Sequence, residues 1–173
     1  MDHTANLLGA LSAAVADRTY DAVADAAGQS ETAATALSAL HYFLDRPTID
    51  TLRRVLGLTS SGTVRLVDRL EAAGYVTRSP GSDARATVVS LTPSGRRAAR
   101  RVAAARAEVL EGALAALSSA ERATLDDLAS RLLARLIRGP GAVRWMCRLC
   151  DTRACGREAG HCPVANAVAG RFS

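Results

Sequence analysis

Apolar residues recur along the first half of the chain at three- and four-residue spacing, the period of a helix with one buried face. Leu7, Leu8, Leu11, Val15 and Val23 mark such a stripe over residues 4–26, and Gly28 ends it. The run "ETAATALSALHYFLD" (31–45) is more apolar still and predicts a second helix, closed by Pro47. Thr48 is placed to N-cap a short third helix through Ile49, Leu52, Val55 and Leu56. Gly57 follows, where a left-handed residue is wanted. Thr59 then caps a fourth helix with a stripe of Leu66, Val67, Leu70 and Ala73, ended by Gly74.

The period then changes. "YVTRSPGSDARATVVSLT" holds two short β-type runs, 75–78 and 87–91, around a loop of Ser, Pro, Gly and Asp, which predicts a hairpin. Thr92-Pro93 opens a long helix to about residue 116, with Pro at its first position. Ser118 or Ser119 caps another to about Ile137, with Leu125, Leu128, Leu132, Leu133 and Leu136 on its apolar side. "RGPG" (138–141) interrupts the pattern. The fold class is therefore mainly α with a small β-hairpin.

A short helix, a tight turn and a second helix form a helix-turn-helix unit, and a hairpin straight after it makes the unit winged. The second helix of such a unit enters the major groove with its N-terminal residues toward the base edges. With the apolar stripe facing inward, Ser60, Ser61, Val64, Arg65 and Asp68 fall on the outer face. Arg65 can read a guanine or bind phosphate, and Val64 can contact a thymine methyl. Ser60 and Ser61 can hold phosphate at the helix N-terminus. The plainer role for Arg65 and Arg69 is a solvated face paired with Asp68 and other acids.

Charge supports the first reading. All 22 basic residues are Arg, and the net charge is +5. Residues 51–101 carry most of the excess, between an acidic segment before and a balanced one after. A basic stretch so placed is a footprint for a polyanion.

At these residues a resemblance emerges. "LGLTSSGTVRLVDRLEAAGYVTRSPGSDARATVVSLTPSGR" (56–96) resembles the winged helix-turn-helix core of the MarR family of bacterial transcriptional regulators. "RLVDRLEAAGYV", the wing element "DAR" with Asp83 and Arg85, and the exit "LTPSGR" carry it, and the helix order over residues 5–137 agrees. The resemblance implies an intertwined homodimer, built from the first helix and the last two long helices, whose two winged units read a near-palindromic DNA operator, typically as a repressor. It implies that Arg85 reaches the minor groove or its phosphates and that Asp83 braces it. It also implies a small-molecule effector pocket between the dimer helices and the winged unit, which His41, Tyr42 and Phe43 would line unless they only pack the core. Two features depart from the family pattern. Thr63 precedes Val64, which turns the hydroxyl inward, and the wing tip "SPGSDA" carries little charge, so affinity leans on Arg78 and Arg85.

All four cysteines lie in "CRLCDTRACGREAGHC", as C-x2-C-x4-C-x6-C: Cys147, Cys150, Cys155 and Cys162. Four thiolates bind zinc tetrahedrally, and an ion can replace the core that so short a segment lacks. Gly156 and Gly160 supply turns, and Arg144, Arg148, Arg153 and Arg157 offset the thiolate charge. An iron–sulfur cluster takes the same four ligands, and Pro163 after the last cysteine suits it. Free thiols sensing oxidants are the metal-free alternative. His161 reads as a bystander and Trp145 as packing against the dimer helices. The segment is either a structural clip or a redox or metal switch on DNA binding.

These readings divide the chain into a dimerisation helix (1–30), a winged helix-turn-helix domain (31–92), C-terminal dimerisation helices (93–138) and a cysteine-rich tail (139–173). No phosphate loop, nucleophile elbow or His-Glu metal motif appears, and a metal with four thiolate ligands leaves no room for substrate, so an enzyme is not expected. Neither a signal peptide nor a membrane span is read, so the expected site is the cytoplasm.

Overall fold

The computed structural model describes residues 1–81, 86–139, 141 and 145–172. Capping chemistry sets where its helices begin. Asp2, Ser30, Thr48, Thr59, Thr92 and Ser118 each sit in extended backbone, and each side chain accepts an amide from the first turn that follows. They open α1 (His3–Ala27), α2 (Glu31–Tyr42), α3 (Ile49–Leu56), α4 (Ser60–Ala72), α5 (Pro93–Leu114) and α6 (Ser119–Arg135) in turn. Ser118 and Glu121 form a reciprocal capping box. Gly28 and Gly57 close α1 and α3 at φ of 60° and 66°, where an L side chain is strained.

Strands β1 (Val76–Pro80) and β2 (Thr87–Leu91) pair antiparallel, from Val76 opposite Leu91 to Pro80 opposite Thr87. The hairpin does not stand alone. Thr48 bridges to Val88, and the Val89 amide donates to the Pro47 carbonyl at 3.0 Å, so the entry to α3 is attached to the wing.

One core unites the winged unit with the long helices. Leu37 of α2, Leu52 of α3, Leu66, Val67 and Leu70 of α4, Val76 and Val89 of the hairpin, and Ala98, Ala99 and Val102 of α5 meet with Val23 and Ala27 of α1. The many alanines let α1, α2 and α5 approach closely, and dispersion grows with contact density. At the wing root α5 begins almost on top of β1. A methyl group at Gly95 would collide with the Tyr75 carbonyl. Thr92 and Ser94 hydroxyls both donate to the Gly74 carbonyl, at 2.7 and 2.6 Å.

The outer part of the helical stalk is different. Leu7, Leu8 and Leu11 of α1 and Leu125, Leu128, Leu132, Leu133 and Leu136 along α6 and its C-cap are all exposed in the single chain, and α6 buries no residue. The C-terminal region adds a helix that the sequence reading lacked, α7 (Pro163–Phe172), which packs on α6.

Candidate nucleic-acid interface and cysteine segment

The α4 helix presents the outer face its stripe predicts. Leu66, Val67, Leu70 and Thr63 are buried, whereas Ser60, Ser61, Val64, Arg65, Asp68 and Arg69 are exposed. Thr63 is fully buried and its hydroxyl donates back to the Thr59 carbonyl at 2.9 Å, so it offers nothing to a partner. Val64 takes the outer position and is 43% exposed, an apolar group presented to solvent. The Arg65 Nε donates to the Ser61 carbonyl at 3.3 Å, and the residue is exposed. Arg65, Asp68 and Arg69 also border an open groove of about 510 Å³ with Thr32, Leu58 and Gly62.

Arg78 behaves differently from its neighbours. Its Nη2 lies 2.6 Å from Asp68 and its Nη1 2.9 Å from Glu71, and Nη2 also reaches the Val64 carbonyl at 3.5 Å. Glu71 additionally accepts the Arg78 amide at 3.2 Å. The guanidinium thus ties β1 to the outer face of α4, instead of standing clear as a cation for DNA. Asp83 and Arg85, at the wing tip, lie outside the described residues.

On α3, Asp50 accepts from both Arg53 and Arg54, and these two hydrogen bonds hold its carboxyl below the usual carboxylate range. The spacing of these three on one short helix could have shown that Arg53 and Arg54 belong to the charged surface beside the wing. Arg53 shares a groove of about 400 Å³ with Ser60, Val64, Ala86 and Thr87, between α3, α4 and the hairpin.

The cysteine segment folds as a succession of turns, with Gly156 and Gly160 at φ of 60° and 75°. Cys147 and Cys162 are buried beside Ile137 and Val164, and Cys150 and Cys155 pack partly buried against them. The Cys155 thiol donates to the Thr152 carbonyl at 3.5 Å. Among the described residues no three His, Cys, Asp or Glu side chains converge as a metal cluster. The thiol of Cys147, engaged with Cys150 and desolvated, is pushed up, whereas that of Cys150 is drawn down to about 6 by its bond from Cys147, with Arg106 and Arg157 helping. Burial pushes Cys155 up. Cys162 stands at the start of α7, where its sulfur accepts the Ala165 amide at 3.5 Å.

His161 is exposed beside Cys162. Trp145 is 51% exposed, and it is held by Arg148, whose guanidinium carbon lies 5.8 Å from the ring centre. The packing against the dimer helices expected of Trp145 is thus not made within one chain. His41, Tyr42 and Phe43 are half-buried at the end of α2. Burial, then Arg100 and Arg153, lowers the His41 pKa, while burial and the Asp151 charge raise that of Tyr42.

Helix, turn, helix and hairpin, with an arginine-bearing outer face on the second helix, define a winged helix-turn-helix DNA-binding protein. The chain belongs to the MarR family of transcriptional regulators, whose profile matches residues 27–86. It is similar to a probable transcriptional regulator from Pseudomonas aeruginosa, at 30% identity over 72% of this chain and 95% of that one, with a TM-score of 0.56. The fold is also that of a mutant of S. aureus MepR bound to an oligodeoxyribonucleotide (18% identity, 79% of this chain and 100% of that one, TM-score 0.58). It is likewise that of CouR from Rhodococcus jostii RHA1 bound to p-coumaroyl-CoA (21%, 76% and 92%, TM-score 0.58). None of the curated proteins matches the chain in sequence. Members of the family are transcription regulators and not enzymes, and among the described residues no helix is long and apolar enough to cross a membrane.

Proposed function

We propose that the protein is a homodimeric repressor that reads a near-palindromic duplex operator through α4, and that its four cysteines bind zinc. The observation that carries the DNA reading is the outer face of α4: Ser60, Ser61, Val64, Arg65 and Arg69 exposed together, with no apolar core residue among them. Ser60 and Ser61 stand at the helix N-terminus, whose free amides favour phosphate. Arg65 is the base-reading or phosphate-binding cation, and Val64 offers a methyl contact. Arg78 acts as the brace that sets the wing against α4, with Asp68 as its anchor. In the family pattern Arg85 supplies the minor-groove contact and Asp83 steadies it. MepR bound to an oligodeoxyribonucleotide supports this use of the fold.

The exposed leucines of α1 and α6 support the homodimer. A contiguous apolar face of this kind, on helices that the family uses for pairing, is matched by its own copy across a two-fold axis. The open cavity of about 800 Å³ between α1 and α6, lined by Leu11, Val15, Tyr20, Leu132 and Cys150 among others, would be closed by that second copy. It is a better candidate for a small-molecule effector than His41, Tyr42 and Phe43, and CouR with p-coumaroyl-CoA supports the use of this fold to hold one.

What supports zinc is the sequence alone, four thiols spaced C-x2-C-x4-C-x6-C. The four, all among the described residues, do not converge on one point in this structure. An iron–sulfur cluster is the second reading, on the same donors.

The DNA reading is tested with a duplex selected by the protein from a random-sequence library. Arg65→Ala is expected to weaken binding by about 1–3 kcal/mol and to lower the salt dependence by about one counterion. Unchanged affinity at every salt concentration would remove α4 from the interface.

A further inference from the structure

The cavity between α1 and α6 has a third wall, Met146 and Leu149 of the C-terminal tail, which lies outside the stretch that resembles the family. It is elongated. Its lining follows α1 from Leu8 to Tyr20, about 18 Å at the helical rise. Polarity changes along that length. Leu8, Leu11 and Val15 make one end apolar, whereas Thr19 and Tyr20 bring hydroxyls to the other.

Arg106 of α5 stands at the polar end. Arg101 Nε donates to the Ala26 carbonyl at 3.1 Å, and α5 packs back along α1 from there. Five residues on, Arg106 comes level with Tyr20. Its charge acts on Cys150, a near neighbour in sequence of Arg148, whose Nη2 donates to the Tyr20 hydroxyl at 2.7 Å.

Three donors at this end have capacity to spare. Arg106 is half-buried yet makes no ion pair or hydrogen bond among the described residues. Arg122 and Arg131 of the same stalk, by contrast, rest on Glu111 and Asp127. Thr19 is 7% exposed and its hydroxyl has no partner. The Tyr20 hydroxyl accepts from Arg148, which leaves its own proton to give. No Asp or Glu lines the cavity, and its second cation, Arg135, is exposed to water. Taking a guanidinium out of water without a counter-ion is unfavourable, and an anion carried in by a ligand relieves it through charge-assisted hydrogen bonds.

We propose that this cavity binds a long-chain carboxylic acid, with its chain along α1 toward Leu8 and its carboxylate on Arg106 and the hydroxyls of Thr19 and Tyr20. The inference rests on the effector reading of the cavity above and names its ligand. A compact aromatic acid would satisfy Arg106 but leave most of the apolar length empty. A fatty alcohol or an alkylammonium would fill that length and leave Arg106 unpaired. The tail completes the site, because Met146 and Leu149 cover a side of the chain that would otherwise lie open to water.

The test uses the full chain with decanoate, decanol, decyltrimethylammonium and benzoate as probes, each below any micelle-forming concentration. Titration calorimetry gives affinity and stoichiometry. The expected result is about one decanoate per chain, bound about tenfold more tightly than decanol and more tightly than the cation or benzoate. Arg106→Gln should remove that tenfold advantage and leave decanol binding as it was, and Arg106→Lys should restore part of it. Leu149→Ser should weaken decanoate and decanol alike, with circular dichroism checking that helix content is kept. If Leu149→Ser fails to fold, the two Arg106 variants decide. Should decanol or the cation bind as tightly as decanoate, or Arg106→Gln bind decanoate like the parent, the carboxylate assignment is wrong and the cavity remains an effector site. Benzoate binding tightest would overturn the long chain in the same way. If no probe binds, the neutral one included, the cavity takes no small apolar molecule, and the effector reading fails together with the acid.

Discussion

Arg78 shows how one side chain can take a role that spacing alone does not reveal. On the sequence it is a wing arginine available to DNA, yet its fork is divided between Asp68 and Glu71, ten and seven residues earlier. The contact crosses from a strand to a helix, and no helical period foretells it. Ion pairs this exposed contribute little each, about 0.2–1 kcal/mol. Arg78→Ala is therefore expected to lower stability by about 1 kcal/mol and to loosen the wing. Arg78→Lys separates the roles: lysine keeps the charge but cannot fork to both carboxylates. Wing-amide exchange in the lysine variant should match that of the alanine variant if Arg78 is a brace. Thr63, by contrast, was legible, because its place in the stripe of Leu66 and Leu70 puts its hydroxyl inside. His41 adds a pH term. Its pKa is lowered in the fold by burial and two arginines, so the neutral form is favoured. A lowered pKa means stability that is present above the ordinary value, about 6.5, and lost as pH falls through it. The melting temperature should drop between pH 7 and 5, and His41→Gln should flatten that drop.

At the scale of elements, capping residues carried most of the information. Thr48, Thr59 and Thr92 each open the helix the pattern assigns to them, because a side-chain acceptor followed by an apolar period is a local signal that tertiary contacts rarely override. Thr59→Ala should cost about 1 kcal/mol in thermal or chemical unfolding, since the Gly62 amide loses its acceptor. Helix ends were less legible: α2 stops at Tyr42 where the apolar run suggested 45, since Phe43 and Leu44 turn back on Ala39. The helix α7 was missed altogether, although Pro163 at its first position and Val164 and Val168 one turn apart were signals for it. The cysteines drew the reading toward metal and away from periodicity. Gly95 is the sharpest element-level constraint. It lies against the Tyr75 carbonyl, so Gly95→Ala must push the start of α5 from β1. The expected destabilisation is about 1–3 kcal/mol or more, read as a lowered melting temperature with the wing amides exchanging faster than those of α1.

For the whole molecule, the single chain leaves its own stalk unfinished. The leucines of α1 and α6 followed a helical period and so were expected to be buried, yet they are exposed in one copy. Sequence patterning shows that a face is apolar but not which surface covers it. If a second copy does, Leu128→Glu with Leu132→Glu should convert a dimer to a monomer in sedimentation while leaving the helix content of the winged unit intact. DNA affinity should fall with dimerisation, because half-sites one helical turn apart need two linked readers. The stitched wing root has a mechanical corollary. Thr92, Ser94 and Gly95 leave no slack between α5 and the hairpin, so the reading head follows the long helix as a blade follows its handle. A helix of 22 residues is a lever arm of about 33 Å. A rotation of a few degrees near its far end therefore sweeps the wing by a couple of ångströms, enough to pull it out of register with the groove.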